Sequence, residues 1–196
     1  MNLDIINFVN KNNKIEQKHI CTKNNGDNIL PNIQWIIKNK NNNKIKSFAI
    51  IMEDITVKFV HLFIPYINKD IREINEISDF SFQDILKKKS IQDIYEDIYK
   101  LNLFIGKNYL DKNEYYGPCA PQGTGFHTYI FRLYALDSIL DFDKIKGSQE
   151  FKETLKNKNI SIINYSEKKF QYSHSDSYSD SYSDSYSDSY SDDYSR

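Results

Sequence analysis

The clearest periodic pattern in the chain begins at His127, where two sets of residues alternate as far as Ala135. The odd-numbered positions from His127 to Ala135 are mostly apolar or aromatic, whereas the even-numbered positions between them include Thr128 and Arg132. A period of two over this length predicts a β-strand with one buried face. The preceding segment, Gly117–Gly125, holds three of the six glycines and two of the four prolines, which predicts a loop with tight turns. Such a loop at the start of a strand is typical of a binding site, because its backbone can approach a ligand closely.

Other apolar segments predict the remaining strands. Ser47–Met52 is a continuous apolar run of the length expected for a buried strand, and Phe59–Pro65 begins another. A short edge strand is expected at residues 3–9, and a last strand at Ile160–Tyr165. The polar segment from Lys38 to Lys46 is interpreted as a turn, and the single tryptophan, Trp35, as part of the core.

Helical signals lie between and after these strands. The sequences SFQD and SIQD resemble helix capping boxes, with Asp in place of the usual Glu. After the second of them, apolar residues recur at helical spacing and form one apolar face. They predict a helical insertion at about residues 75–103. Ser148 is expected to cap a second helix that runs to about Lys156 and buries Phe151 and Leu155.

The C-terminal sequence differs sharply in composition from the rest of the chain. Residues 1–172 have the length of one domain, whereas residues 173–196 repeat Ser, Asp and Tyr with no aliphatic side chain. Such a segment buries too little apolar surface to order itself, so we predict a disordered tail. It is either an interaction tail that phosphorylation would make more acidic or a neutral repeat expansion. The tail carries about −5 of charge and the remainder about +4, within a total of −1.

The composition of the chain also argues against several classes of protein function. The basic residues are scattered, so no nucleic-acid partner is expected. No segment reaches the length of a transmembrane helix, and the N-terminus lacks the features of a signal peptide. Two cysteines, Cys21 and Cys119, are too few for a disulfide scaffold or a four-cysteine zinc site, which favours a reducing, cytoplasmic location. A virion is the alternative if the AT-rich composition comes from a large DNA virus.

Three separate motifs stand out in the sequence. The first is a GPxxPxGxxxHxY loop that continues into a strand ending in YALD. The second joins a cysteine to Gly-Asp-Asn and a strand that contains tryptophan. The third places an aspartate after one strand and a histidine in the next. The residues of the three motifs are Gly117, Pro118, Pro121, Gly123, His127 and Tyr129; then Cys21, Gly26, Asp27, Asn28, Pro31, Ile33 and Trp35; then Asp54 and His61. Together these motifs resemble those of the phosphatidylethanolamine-binding protein family, which includes the Raf kinase inhibitor protein and bacterial relatives.

The resemblance implies a mainly β fold, an antiparallel β-sandwich with a few peripheral helices. It also implies a small pocket that binds phosphate, acetate or a phosphoethanolamine headgroup. Asp54 is expected to orient a histidine and raise its pKa, so that binding strengthens below neutral pH. The chain departs from the family at Ile55–Val57, where a proline and a second aspartate are missing, and at Thr128, where an arginine is common. The implied site residues are Asp54, His61, Gly117, Pro118, His127 and Tyr129.

Three classes of function compete. The favoured hypothesis is a non-enzymatic binding protein that takes a small anion or phospholipid headgroup and modulates a kinase or protease, with no cofactor or metal. The second is a structural or assembly protein, such as a virion component, with a vestigial pocket. The third is a hydrolase that uses the Cys119 thiol as nucleophile or a metal held by two histidines and a cysteine.

Overall fold

The computed structural model describes residues 1–38, 43–76, 103–140, 145, 147–157 and 160–174. Two one-turn 3-10 helices, Gln17–His19 and Thr22–Asn24, precede the second strand. Within these ranges an α-helix, α1, spans Ser148–Asn157. The strands within these ranges are β1 Asn2–Ile6, β2 Asn32–Ile36, β3 Ser47–Asp54, β4 Phe59–Asn68, β5 Glu73–Ile74, β6 Leu103–Phe104, β7 His127–Leu136 and β8 Ile162–Tyr172.

The strands form two antiparallel sheets. The smaller sheet has the order β1-β2-β5, and the larger has the order β6-β4-β3-β7-β8. In the larger sheet β3 lies at the centre, between β4 and β7, and all eight of its residues are buried. A continuous apolar run is the pattern expected for a strand that is covered on both faces.

The main core lies between the two sheets. Alternate residues of β3, such as Phe48 and Met52, face inward and pack in one cluster with Leu3 and Trp35 of the smaller sheet. Trp35 is buried and lies edge-on to Phe48, with ring centroids 5.4 Å apart. Two packed antiparallel sheets are a β-sandwich, so the predicted fold class and the core position of Trp35 are confirmed.

The outer face of the larger sheet is covered by α1. The intervening residues of β3, Ala49 and Ile51, pack in a second cluster with Phe63 of β4 and Phe151 of the helix. Phe151 is fully buried, and Leu155 packs against the same cluster. The predicted helix is therefore confirmed. The physical reason for its position is that its apolar residues cover a face of the larger sheet that would otherwise be exposed.

The last strand is longer than predicted. The sequence pattern placed it at Ile160–Tyr165, but β8 spans Ile162–Tyr172 and pairs with β7 along its whole length. The charged residues Glu167–Lys169 obscure the pattern, because an edge strand tolerates polar side chains. Beyond them, Phe170 and Tyr172 pack against the main core.

Two predicted segments lie mostly outside the described residues. The helical insertion was predicted at about residues 75–103, and the structure does not describe residues 77–102 of it. The last residue of the predicted range, Leu103, begins β6. The predicted tail, residues 173–196, is undescribed from residue 175 onward, and the predicted turn from Lys38 to Lys46 includes the undescribed residues 39–42. These predictions are therefore untested by the structure. Among the described residues, no helix combines the length and apolar character needed to cross a bilayer.

Candidate functional site

The site lies where β3 ends beside β7. Asp54, the last residue of β3, is directly opposite Tyr129 of β7 in the antiparallel register. His127 lies two positions before Tyr129, so both side chains project from the same face of the sheet. The strands therefore bring a carboxylate, an imidazole and a phenol together although Asp54 is remote from the other two in sequence.

A β-bulge in β4 positions His61. Met52 pairs with Leu62, but the next residue of β3, Glu53, pairs with Val60, so His61 is the additional residue on β4. Bulges redirect side chains and are frequent next to functional sites. The His61 ring packs edge-on against Tyr129, with ring centroids 5.1 Å apart.

Asp54 is the buried acceptor at the centre of the site. Its Oδ2 lies 2.6 Å from Nδ1 of His127, and its Oδ1 accepts the backbone N–H of Thr56 at 2.9 Å. Both side chains of the Asp54–His127 pair are almost completely buried. The hydroxyl of Tyr129 also hydrogen bonds to Asp54, and burial, together with this carboxylate, raises the pKa of Tyr129. Tyr129 therefore stays protonated and donates its hydrogen to Asp54.

The second nitrogen of His127 faces the Gly/Pro loop. Its Nε2 is 3.1 Å from Oγ1 of Thr124, and the same hydroxyl lies 2.7 Å from the carbonyl oxygen of Pro121. A hydroxyl has one hydrogen, so it donates either to Pro121 or to the ring. Both ring nitrogens are thus engaged within the protein.

His61 is held through one nitrogen only. Its Nδ1 lies 2.8 Å from the carbonyl oxygen of Tyr116 and 3.1 Å from that of Gly117. Carbonyl oxygens only accept, so Nδ1 carries the hydrogen and Nε2 of the neutral ring is a lone-pair acceptor. Within the described part of the chain, Nε2 has no hydrogen-bond partner. Burial lowers the pKa of His61, although Asp54 acts in the opposite direction.

Gly117 and Pro118 fix the loop against the N-terminal segment. A Cβ at Gly117 would overlap the His19 carbonyl oxygen and lie 2.8 Å from the Cys21 nitrogen, so the close approach requires glycine. The Gly117 N–H donates to Oδ1 of Asn28 at 2.7 Å, and the Pro118 carbonyl accepts the Cys21 N–H at 3.1 Å. The two predicted residues therefore shape the site through their backbone.

The two cysteines form a disulfide, Cys21–Cys119. The expectation that they would be reduced is wrong for this pair, because the backbone contacts between the two loops place the cysteines together. Cys119 also donates its backbone N–H to the Tyr129 hydroxyl at 3.1 Å, and its sulfur lies 3.4 Å from the hydroxyl of Tyr116. The bonded sulfur is not a thiolate, so the hypothesis of a Cys119 nucleophile fails in this state. The described residues contain no cluster of three or more metal-ligating side chains.

An aromatic wall, which the sequence pattern did not reveal, surrounds His61. It consists of Phe59, Tyr109 and Tyr116: Phe59 stacks on Tyr109 with ring centroids 4.6 Å apart, and Tyr109 lies edge-on to Tyr116. The centroid of His61 lies 5.3 Å from that of Tyr109 and 6.1 Å from that of Tyr116. Burial raises the pKa of Tyr109 to about 12. These tyrosines occupy loops without periodicity, so only their proximity in the fold identifies them.

The turn at which the chain departs from the family pattern is held by hydrogen bonds. Ile55 donates its N–H to the Thr128 carbonyl at 2.9 Å, and Thr128 donates its N–H to Oγ1 of Thr56 at 3.0 Å. Thr56 itself donates its N–H to Asp54. Backbone and threonine contacts therefore fix this rim where relatives were expected to use proline.

The six predicted site residues thus share one end of the larger sheet. Asp54, His127 and Tyr129 are linked by hydrogen bonds, while His61 packs on Tyr129 and is bonded to Gly117. Asp54 hydrogen bonds to His127, whereas its effect on His61 is purely electrostatic.

Comparison with known proteins identifies the family. Residues 6–166 match the family model described as phosphatidylethanolamine-binding protein, which covers most of the chain. The chain belongs to the phosphatidylethanolamine-binding protein family. The match includes all three motifs recognised in the sequence.

Individual relatives agree with this assignment. UPF0098 protein PH1269 of Pyrococcus horikoshii is 28% identical over 167 residues, which is 85% of this chain and 74% of the relative. Among solved structures, Escherichia coli YbcL, described as a new member of the mammalian PEBP family, superposes with a TM-score of 0.63 at 16% identity, covering 87% of this chain and 96% of YbcL. The phosphatidylethanolamine-binding protein homologue CT736 of Chlamydia trachomatis gives a TM-score of 0.61 at 19% identity, covering 88% and 96%. At these identities the two structures establish the fold alone.

Proposed function

We propose that this protein is a non-enzymatic binding protein whose site holds a small anion, either phosphate or the phosphoethanolamine headgroup. Membership of the phosphatidylethanolamine-binding protein family supports a binding role. The observation that carries the specific proposal is the orientation of His61. Its Nδ1 is committed to two backbone carbonyls, and its Nε2 is left without a partner in the described part of the chain, beside the wall of tyrosines.

The protonation state of His61 determines what the site accepts. Because burial lowers the pKa of this ring, His61 is neutral near pH 7 and presents a lone pair at Nε2. A ligand must then bring a hydrogen to that nitrogen, as a protonated phosphate oxygen or an ammonium group does. Alternatively, His61 takes up a proton as the anion binds and becomes a charged donor. Binding is coupled to proton uptake when His61 or a phosphate oxygen gains the hydrogen, whereas an ammonium group brings a hydrogen that it already carries.

The tyrosines complete the donor set. The raised pKa of Tyr109 keeps its hydroxyl protonated, and the Tyr116 hydroxyl lies beside it. Phenol O–H groups donate to phosphate oxygens without adding charge, and burial strengthens such hydrogen bonds. Asp54 is buried, already accepts hydrogen bonds from Thr56, His127 and Tyr129, and has no hydrogen to donate to an anion, so its role is to position the other groups.

The proposal extends to protein partners. Relatives such as the Raf kinase inhibitor protein led us to expect a kinase or protease whose activity this protein modulates. We retain that hypothesis, in which the site with its bound anion forms part of the surface that the partner contacts.

Isothermal titration with phosphate and with phosphoethanolamine tests the proposal, at pH 6 and pH 8 and in buffers of different ionisation enthalpy. We expect tighter binding at the lower pH with net proton uptake. The informative variant is His61→Asn, because the amide reproduces the Nδ1 donor and removes Nε2. The matched control is His19→Asn, since His19 is also buried and also bonds a backbone carbonyl through Nδ1, at 2.7 Å from Ile29. Equal affinity in the two variants would refute the role of His61.

A structural role for the chain has one specific observation in its favour. Both nitrogens of His127 and the hydroxyl of Tyr129 are already bonded within the protein, as expected of a site that supports the fold. In that case the acidic tail would carry recognition. Deletion of residues 175–196 separates the hypotheses: loss of partner recovery with unchanged anion affinity would favour the structural role.

A further inference from the structure

A groove beside the end of β8 is separate from the site. It has a volume of about 970 Å³, which is in the range of pockets that bind ligands. It is lined mainly by residues 12–15 and 24–25 of the N-terminal segment, by Phe126 and Thr128, and by residues 169–174. None of the six site residues is part of this lining. We call this cavity the β8 groove.

The lining of the β8 groove is basic. It includes the side chains of Lys14 and Lys169 and, among the described residues, no carboxylate. Lys14 is exposed, and its ammonium group has no partner within the described ranges. Lys169 lies 3.0 Å from Glu167, but both side chains are partly exposed, and such surface pairs are weak. Two lysines in a concave surface favour a ligand that carries negative charge.

Aromatic rings form the apolar part of the groove. Phe126, Phe170 and Tyr172 belong to its lining, and Phe126 is 69% exposed. The Tyr172 hydroxyl lies 3.3 Å from Nδ2 of Asn24, so this ring is fixed against the N-terminal segment. An exposed ring is a contact surface for another aromatic side chain, in edge-to-face or offset-stacked geometry. The β8 groove therefore fits a ligand that combines carboxylates with aromatic rings.

The segment that follows His174 has this chemistry. His174 lines the groove and is the last described residue, so the undescribed residues 175–196 begin at the groove itself. Their sequence repeats Ser-Asp-Ser-Tyr four times and contains six aspartates, five tyrosines and one arginine. Alternate residues of an extended segment face the same side. In that conformation Asp and Tyr share one side and Ser the other.

Attachment to the same chain makes even a weak contact effective. A ligand joined to its site by a short linker has an effective concentration of about millimolar. Residues 175–196 bury too little apolar surface to order themselves, so they depend on a complementary surface for any fixed position. β8 is also the last strand of the larger sheet, and in the described part of the chain no strand pairs with its second edge. A segment that covers this edge prevents it from pairing with other chains.

We infer that residues 175–196 bind in the β8 groove of the same molecule. Aspartates of the repeats lie beside Lys14 and Lys169, and a tyrosine ring packs against Phe126. Because every repeat offers the same side chains at the same spacing, several registers satisfy these contacts. The C-terminal segment is then an interaction tail rather than a neutral repeat expansion. The inference does not rest on the proposed function, since the groove and the site consist of different residues.

Limited proteolysis of the full chain tests the inference. Chymotrypsin cleaves after tyrosine, so the rate at which it removes the repeats reports how accessible they are. The groove variant carries Lys14→Gln and Lys169→Gln. The matched control carries Lys44→Gln and Lys46→Gln, two exposed lysines near the opposite end of β7, where the Lys46 N–H donates to the Leu136 carbonyl.

We expect chymotrypsin to remove the repeats roughly three- to tenfold faster from the groove variant than from the wild type, the effect of losing two surface ion pairs. The control should be cleaved at the wild-type rate. Salt at about 1 M should raise the wild-type rate to that of the groove variant, because it screens exposed charges. Equal rates in the groove variant and the control would overturn the inference.

Cross-linking locates the contact and shows which molecule supplies it. A carbodiimide joins lysine amines to carboxylates that touch them, and mass spectrometry of the digested protein identifies the links. We expect aspartates of the repeats to be linked to Lys14 and Lys169 about tenfold more often than to Lys44 and Lys46. In a mixture of unlabelled and 15N-labelled protein, both peptides of each link should carry the same label.

An even distribution of links over the four lysines, or links that join labelled to unlabelled peptides, would overturn binding within one molecule. Neither experiment uses an anion, so the proposed function is tested separately.

Discussion

The carboxylate of Asp54 and the imidazole of His127 are 2.6 Å apart, although the two residues are 73 positions apart in the sequence. Both are buried, and the contact joins the end of β3 to the start of β7. Removing Asp54 leaves the His127 Nδ1, the Thr56 N–H and the Tyr129 hydroxyl without their acceptor, and a buried polar group without a partner costs about 1–3 kcal/mol. We therefore expect Asp54→Ala to lower the free energy of unfolding by about 3 kcal/mol.

Urea denaturation measures this effect. The control is Asp4→Ala, since Asp4 is exposed and lies 3.9 Å from Lys168, a separation typical of surface pairs that contribute ~0–1 kcal/mol. A loss in Asp54→Ala no larger than in Asp4→Ala would contradict the central position of Asp54.

Substitution of Gly117 tests the packing of the loop. Gly117→Ala introduces a methyl group against the His19 carbonyl and the Cys21 nitrogen, and backbone cannot move aside as a side chain can. We expect a loss of stability of about 2 kcal/mol or more, together with weaker anion binding. Gly123→Ala is the control: its φ is 78° with open space around it, so only backbone strain of roughly 1–2 kcal/mol is expected. Full anion affinity in Gly117→Ala would show that the loop does not shape the site.

The pKa of His61 predicts how stability depends on pH. The unfolded chain takes up a proton on His61 below about pH 6.5, whereas the native ring, with its lowered pKa, does not. The unfolded state then binds more protons, so His61 stabilises the fold fully above about pH 6.5 and progressively less as the pH falls towards its native pKa. Melting temperatures at pH 7.5 and pH 5.0 should show a smaller difference in His61→Asn than in the wild type. An unchanged difference would mean that other groups cause the acid sensitivity.

Reduction of the disulfide should weaken both the fold and the site. The cysteines are 98 residues apart, and closing a loop of about this length stabilises a protein by about 4–5 kcal/mol on the chain-entropy estimate. Reduction by a dithiol also frees the loop whose Cys119 N–H is bonded to Tyr129. We expect a lower melting temperature and weaker phosphate binding in dithiothreitol. The variant with Cys21→Ser and Cys119→Ser should be less stable and insensitive to the reductant; equal stability with and without reductant in the wild type would contradict this prediction.

The sequence predicted those parts of the fold that periodic patterns encode. The continuous apolar run at Ser47–Met52 and the alternation from His127 indicated the two strands on which the site is built. Sequence patterns failed where tertiary contacts decide. The length of β8 depends on its pairing with β7, because Glu167 and Lys168 give no apolar alternation.

The sequence predicted which residues form the site but not which of them are joined by hydrogen bonds. Motifs identified Asp54, His61 and His127, yet spacing alone does not show which histidine Asp54 binds, or that burial lowers the pKa of His61. The bulge that redirects His61 becomes visible only when the registers of β3 and β4 are known. The stacked pair Phe59–Tyr109 joins segments that are remote in sequence and carry no shared pattern.

The bond between Cys21 and Cys119 also affects how the protein would respond to proteases. A single cut anywhere between these two residues yields two fragments that stay covalently joined. Such nicked molecules would migrate as intact protein on a gel without reductant and separate only when the sulfurs are reduced. A cut between Cys21 and Cys119 would therefore leave all residues of the site in one molecule, because the disulfide still joins the two fragments.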